Sequence, residues 1–274
     1  MATGASQNRG IFGKKTCCAI TGASRGLGKA IAIDFCTKFP PDCLFVLLSR
    51  DMNQLNSVKS EMETKSPRTT IVTKQFDQSN LDGRIYKSLF DDALRESRFG
   101  PGDFQQAMII HNAGTGGDPS KYIRELSDPA LVGGCFDTNI SGMVLLNAAF
   151  LQTFPSSSVS SRVVVAMSSL SAIMPMRTWS LYCTVKAARD MFFRVLALEE
   201  PDIRVLNYAP GPCLTEMLSD LTRNTRDPER SKTLHAYFTE QTALEPAISI
   251  AKLVEILTEN TFESGSHIDY YDRV

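Results

Sequence analysis

Tyr182 and Lys186 lie four residues apart, about one helical turn, so a phenol and an ammonium share one face and can act on the same atoms. Ser169 precedes the tyrosine by thirteen residues. A phenol titrates near pH 10, so trading a proton near neutrality calls for a cation beside it. A lysine at ~4 Å in an effective dielectric of ~20 attracts a phenolate by about 4 kcal/mol, worth up to ~3 pKa units before desolvation opposes it. The spacing predicts a lowered Tyr182 pKa, and a hydroxyl at Ser169 to hold the oxygen that receives the proton. That is the chemistry of carbonyl reduction, which also needs a hydride.

The expected hydride source is a dinucleotide. The run Thr21-Gly22-Ala23-Ser24-Arg25-Gly26-Leu27-Gly28 follows a short apolar stretch and opens a helical one. Gly22 permits the tight turn, Gly26 lets backbone approach a pyrophosphate, and Gly28 allows close packing of the helix, whose N-terminus favours negative charge. The spacing is Gly-x3-Gly-x-Gly, so the pattern gains its meaning from its place between strand and helix. Cofactor choice is made at the end of the second strand, where Arg50 stands. Arg50 and Arg25, converging on one phosphate, predict NADPH/NADP+ over NADH. Asp51, with Gln54 three residues on, reads as a helix cap.

These groups need a frame that brings distant segments to one edge. Strands are expected at Thr16–Thr21, Cys43–Leu48, Thr69–Gln75, Ala107–Ile110, Arg162–Met167, Ile203–Ala209 and Gly265–Tyr270. Helices are expected at Leu27–Phe39, Leu81–Arg98, about Phe136–Phe154, and Thr178–Glu200. Largely apolar strands alternating with helices predict an α/β fold: one doubly wound Rossmann domain over residues 1–274, with a parallel seven-stranded sheet and helices on both faces. Ser169 then falls at the carboxyl edge, where such sheets bind ligands. The polar stretch at about 215–241 fits the alternation poorly and is expected to form a helical lid, an ordinary surface insertion being the alternative. Met191, Phe192, Phe193, Val195 and Leu196 cannot all face one sheet, so the two long helices are expected to carry a two-fold homodimer, an extra intramolecular layer being the alternative.

A net charge of -1 over 274 residues argues against a nucleic-acid partner. Residues 1–15 hold no apolar signal-like core, and no later uninterrupted apolar stretch reaches membrane-spanning length, so a cytoplasmic protein without a membrane partner is expected. Seven cysteines without a Cys-x-x-Cys pair read as reduced packing thiols and offer no metal site.

Taken in order, Thr21–Gly28, Asn112-Ala113-Gly114, Ser169, Tyr182-x3-Lys186 and Pro210-Gly211 followed by Thr215 resemble the signature of the short-chain dehydrogenase/reductase family across essentially the whole chain. His111 stands where the family usually has asparagine. The resemblance implies that Tyr182 donates the proton, Ser169 binds the carbonyl oxygen, and Lys186 holds the nicotinamide ribose and tunes the tyrosine. It makes Asn139 the support of a proton-relay water; read from the residues alone, Asn139 is as well a helix-interior amide bonding backbone. It puts Asp77 beside the adenine, Asn112 and the 213–218 segment with Thr215 and Met217 around the cofactor, and Gly211 at the substrate.

The runs Trp179–Cys183, Lys186–Met191, Leu196–Pro201, Val205–Pro212 and Ser264–Asp269 are similar to the pterin-reducing branch of that family. This implies NADPH-dependent reduction of pterin side-chain carbonyls by a cytosolic homodimer, with Asp269 as the pterin anchor. A carboxylate suits that role, since it accepts two hydrogen bonds from the amino and ring N–H donors of a pterin. Trp179, Met174 and Met217 are candidate pocket walls. A broad-specificity carbonyl reductase, whose ketones offer Asp269 no paired donors, is the competing reading. A catalytically idle NADPH-sensing protein is a third, and it leaves serine, tyrosine and lysine together without a use.

Overall fold

In the computed structural model, residues 10–273 are described; the first nine residues of the 1–15 stretch and residue 274 lie outside the described residues. Seven strands among them form one parallel sheet: β1 (Thr16–Thr21), β2 (Leu44–Ser49), β3 (Thr70–Gln75), β4 (Gln106–His111), β5 (Ser161–Met167), β6 (Ile203–Ala209) and β7 (His267–Asp269). The order across it is β3-β2-β1-β4-β5-β6-β7. The order in which strands are added therefore reverses between β1 and β4, and a crevice opens there at the carboxyl ends.

The strands are nearly uniform apolar runs because both faces are covered. Cys18 and Ile20 of β1 join Phe35 of α1 (Gly26–Lys38), Leu55 of α2 (Met52–Lys65) and Leu253 of α9 (Pro246–Glu259) on one side. Cys17 and Ala19 face the other, with Phe90 of α3 (Gly83–Ser97), Phe150 of α5 (Gly142–Thr153) and Phe193 of α6 (Ser180–Glu199).

Element ends move by at most two residues from the expected bounds, and β7 is shorter than expected, at three residues. Asp51 caps α2 by accepting from the Gln54 N–H at 3.0 Å; its own N–H goes to Ser49 Oγ at 3.4 Å, so half of a capping box forms. The expected single helix at Phe136–Phe154 is instead α4 (Pro129–Phe136), a π-helical turn at Asp137–Ser141 and α5. The wider turn swings Asn139 inward; such turns gather at functional sites. This continuous run, Pro129–Thr153, is long and apolar enough by length and composition to cross a membrane, although Asp137, Thr138, Asn139, Ser141 and Asn147 interrupt its apolar residues. It packs against α3 and α6 and carries the buried polar side chains Asn139 and Asn147.

The 215–241 stretch folds as α7 (Glu216–Asn224) and α8 (Pro228–Thr239). Thr215 and Asp227 cap them, accepting from the N–H groups of Leu218 and Arg230. Leu218, Leu221 and Leu234 form a small cluster with Trp179 and Tyr182, so both helices rest on the start of α6.

Candidate active site

The glycine loop closes on itself and on β4. Gly22 and Gly26 have φ of 64° and 53°, backbone that favours glycine. A Cβ on Gly28 would fall 2.1 Å from the Gly22 carbonyl oxygen and 2.6 Å from Asn112 Nδ2. The close approach expected at Gly28 is thus made against the loop and Asn112. Asn112 Nδ2 donates to the carbonyls of Thr21 and Gly22 at 3.0 and 3.2 Å, while the Asn112 and Ala113 N–H groups each donate to Thr21 Oγ1 at 2.9 Å. The signature asparagine is a fastener between the ends of β1 and β4.

A cleft of about 1110 Å³ opens beyond this loop, room for a dinucleotide with space left over. Ser24, Arg25, Gly26 and Leu27 line it from the loop, Arg50 and Asp77 from the ends of β2 and β3, Thr215 and Met217 from the start of α7. Ser24 Oγ accepts from Ser49 Oγ at 2.9 Å. The Ser79 hydroxyl, more than any charge, lowers the Asp77 carboxyl below its usual range. Arg25 and Arg50 both line the cleft, and the Arg25 guanidinium pairs with Glu216 across its mouth. A glycine cradle that a Cβ would fill, facing two arginines, fits the pyrophosphate and extra phosphate of NADPH.

At the cleft's inner end Tyr182 and Lys186 project from α6, both buried. Lys186 Nζ donates to the Met167 carbonyl at 2.6 Å and lies 5.5 Å from the centre of the Tyr182 ring. The tyrosine ring meets Trp179 edge-on at 5.8 Å. The expected lowering of the phenol by Lys186 is corrected here. Burial raises the Tyr182 pKa above its ordinary value, and the groups that pull it down are the Ser169 hydroxyl and the Arg189 charge. Burial, then Arg189, lowers Lys186 to about 7, so this lysine carries only part of a charge at neutrality. In so dry a site desolvation outweighs the attraction that spacing alone promised.

Asn139 is buried and spends its amide on backbone: Nδ2 donates to Cys135 O at 2.9 Å and Thr115 O at 3.2 Å, and Oδ1 accepts from Thr115 N at 3.1 Å. This is the backbone-bonding alternative. Its carbonyl accepts from Arg189 Nη1 at 3.0 Å, and Arg189 also donates to Ala113 O and His111 O at 3.4 and 2.7 Å. The fully buried guanidinium pins the π turn to the end of β4.

Ser169, Gly211, Gly28, Asn139 and Asp269 lie outside the cleft lining. Ser169 Oγ accepts from Ser171 N at 3.2 Å and donates to Ser171 Oγ at 3.1 Å. Asp269 Oδ1 accepts from Tyr271 N at 3.0 Å, and Gly211 has φ of 72°. Of the candidate walls, Trp179 is buried, while Met174 and Met217 are exposed. Sequence reasoning missed Arg189, Asp190 and Glu216. Charged residues one turn after Lys186 on the same helix were the available signal for the first two.

His111 is fully buried, its ring centre 5.1 Å from that of Phe193 at a 36° tilt, with Nε2 3.2 Å from Asn147 Oδ1. Burial, then Arg189, pushes its pKa down to about 3. Because the folded value lies below the unfolded ~6.5, His111 contributes stability that is present above pH ~6.5 and is lost, at up to about 1.4 kcal/mol per unit, as pH falls toward the folded value. Urea unfolding at pH 7 and 4.5 should show wild type losing about 2 kcal/mol more than His111→Asn. Equal acid sensitivity would contradict a buried neutral imidazole.

A family model described as short chain dehydrogenase matches residues 16–226. The chain belongs to the short-chain dehydrogenase family. It is 37% identical to the sepiapterin reductase of Meriones unguiculatus over 93% of this chain and 96% of that one. To the sepiapterin reductase of Xenopus tropicalis it is 38% identical, again over 93% and 96%. A short chain dehydrogenase of Escherichia coli CFT073 crystallised with NADPH shares the fold, with a TM-score of 0.77 at 22% identity, covering 95% of this chain and 98% of that one.

Proposed function

We propose that this chain is an NADPH-dependent reductase of pterin side-chain carbonyls, of the sepiapterin reductase type. Its reactions are then sepiapterin to 7,8-dihydrobiopterin and 6-pyruvoyl-tetrahydropterin towards tetrahydrobiopterin. The observation that carries the reading is a buried Tyr182–Lys186 pair at the inner end of a glycine-cradled cleft, on a chain similar to sepiapterin reductases over nearly its whole length.

The loop from Gly22 to Gly28, with Ser24 and Leu27, holds the pyrophosphate; Arg50 and Arg25 take the extra phosphate, Asp77 the adenine side, and Asn112, Lys186, Thr215 and Met217 the nicotinamide side. When bound, NADPH supplies a hydride to the carbonyl carbon. Ser169 holds the carbonyl oxygen and Tyr182 gives it a proton, which completes the alcohol. A phenol kept protonated by burial suits a donor. Asn139 fixes the π turn beside the pair, and Gly211 leaves room at the substrate edge. Helices α7 and α8 serve as a lid, because they already touch Trp179 and Tyr182. The exposed Met191, Val195 and Leu198 of α6, with the apolar Pro129–Thr153 run, suit a homodimer contact, and we assign the enzyme to the cytosol.

Asp269 is the pterin anchor in this reading. Asp269→Ala should raise the KM for sepiapterin about 10²-fold while leaving kcat for a small diketone near wild type. The position of Asp269 outside the cleft lining favours a second reading, a broad carbonyl reductase, and unchanged sepiapterin kinetics in Asp269→Ala would establish that one instead.

A further inference from the structure

We infer that Asp190 and His267 are positioning residues that hold Asp269 in place relative to Tyr182, an inference that rests on the pterin reading above. β7 is three residues long, lies at the sheet edge and pairs with β6 through Asn207–His267, Tyr208–Ile268 and Ala209–Asp269. So short a ladder fixes an edge strand weakly, yet its last residue must meet two ring donors at hydrogen-bond accuracy.

A side-chain brace supplies what the ladder lacks. His267 Nδ1 lies 2.6 Å from Asp190 Oδ2, and Ser168 Oγ donates to Asp190 Oδ1 at 2.5 Å. The Asp190 and His267 side chains are only 10% and 14% exposed. Asp190 follows Lys186 by four residues and Tyr182 by eight, so all three share one face of α6. Ser168 stands between Met167, whose carbonyl takes the Lys186 ammonium, and Ser169. One carboxylate thus joins the end of β5, the helix of the Tyr–Lys pair, and the strand that ends in Asp269.

The three residue types are those of a hydrolytic triad, but their order is wrong for one. Asp190 accepts from Ser168 directly, the Ser168–His267 contact is 3.5 Å, and His267 Nε2 is buried without a partner among the described residues. Neither Asp190 nor His267 lines the cleft. Their role is geometric. Asp190 also raises the His267 pKa, first through their hydrogen bond, so the carboxylate favours the protonated imidazole.

The test measures steady-state kinetics at saturating NADPH with sepiapterin and with a small diketone that has no ring N–H donors. His267→Asn and Asp190→Asn should raise the sepiapterin KM about tenfold, with the diketone KM and both kcat values within about threefold of wild type. His267→Asn should add nothing to Asp269→Ala in the double variant. An unchanged sepiapterin KM, an equal rise for both substrates, or additive effects would each overturn the inference. If a single variant does not fold, Asp190→Asn/His267→Asn, which removes both ionisable groups, is held to the same outcomes, and its failure to fold as well would mark the brace as structural and overturn the inference. The two readings fail separately. If Asp269→Ala leaves the sepiapterin KM unchanged, the pterin reading falls; if Asp269→Ala raises it and the brace variants do not, only this inference does.

Discussion

Replacing Tyr182 by phenylalanine should lower carbonyl turnover about 10²- to 10⁴-fold, the usual share of a positioned general acid. NADPH binding should stay near wild type, because the glycine loop, Arg50 and Asn112 are untouched. The substitution removes one oxygen and keeps the ring that meets Trp179, so the fold of α6 is preserved. Burial has raised the Tyr182 pKa, so the hydroxyl is protonated and ready to donate across the neutral range. Loss of the Tyr182 proton should therefore not limit turnover through neutrality. Single-turnover decay of NADPH fluorescence in wild type and Tyr182→Phe separates chemistry from binding. A variant that reacts at the wild-type rate would remove Tyr182 as the proton donor.

Gly28→Ala should be the most damaging single-methyl change in the glycine loop. The added Cβ would lie 2.1 Å from the Gly22 carbonyl oxygen and 2.6 Å from Asn112 Nδ2, both groups that hold the loop in shape. Neither is the free end of a flexible side chain, so α1 must shift away from the loop. Such overpacking costs about 3 kcal/mol, and displacing the α1 N-terminus should weaken NADPH binding at least about tenfold. Urea unfolding and fluorescence titration with NADPH measure the two effects. A variant of wild-type stability that binds NADPH normally would show that the loop tolerates what its geometry forbids.

Much of this site was legible in the sequence because its signals are local. The glycine run sits at the β1–α1 junction, the Asn-Ala-Gly turn at the end of β4 and the Tyr-x3-Lys pair on the first turns of α6, and the alternation of apolar runs fixed the sheet that gathers them. What sequence could not supply was depth. Spacing put Lys186 next to Tyr182 but not how dry the pair would be, so attraction was expected to win where burial does. The π turn was invisible for a related reason. Asp137–Ser141 reads as ordinary helix until Arg189, fifty residues beyond Asn139, reaches its carbonyl. The Arg25–Glu216 pair and the Asp190–His267 brace are likewise contacts across long sequence separations. His111 shows the same limit: its burial beside Asn147 and Phe193 explains a histidine that the motif alone left without a reason.

The central claim is tested most directly by incubating the wild-type protein with NADPH and sepiapterin, following cofactor absorbance together with the pterin product. The account predicts that NADPH and sepiapterin disappear in equal amounts, with 7,8-dihydrobiopterin formed. Steady NADPH absorbance in the presence of sepiapterin would contradict it, and consumption with a simple diketone but not with sepiapterin would leave a carbonyl reductase of another substrate class.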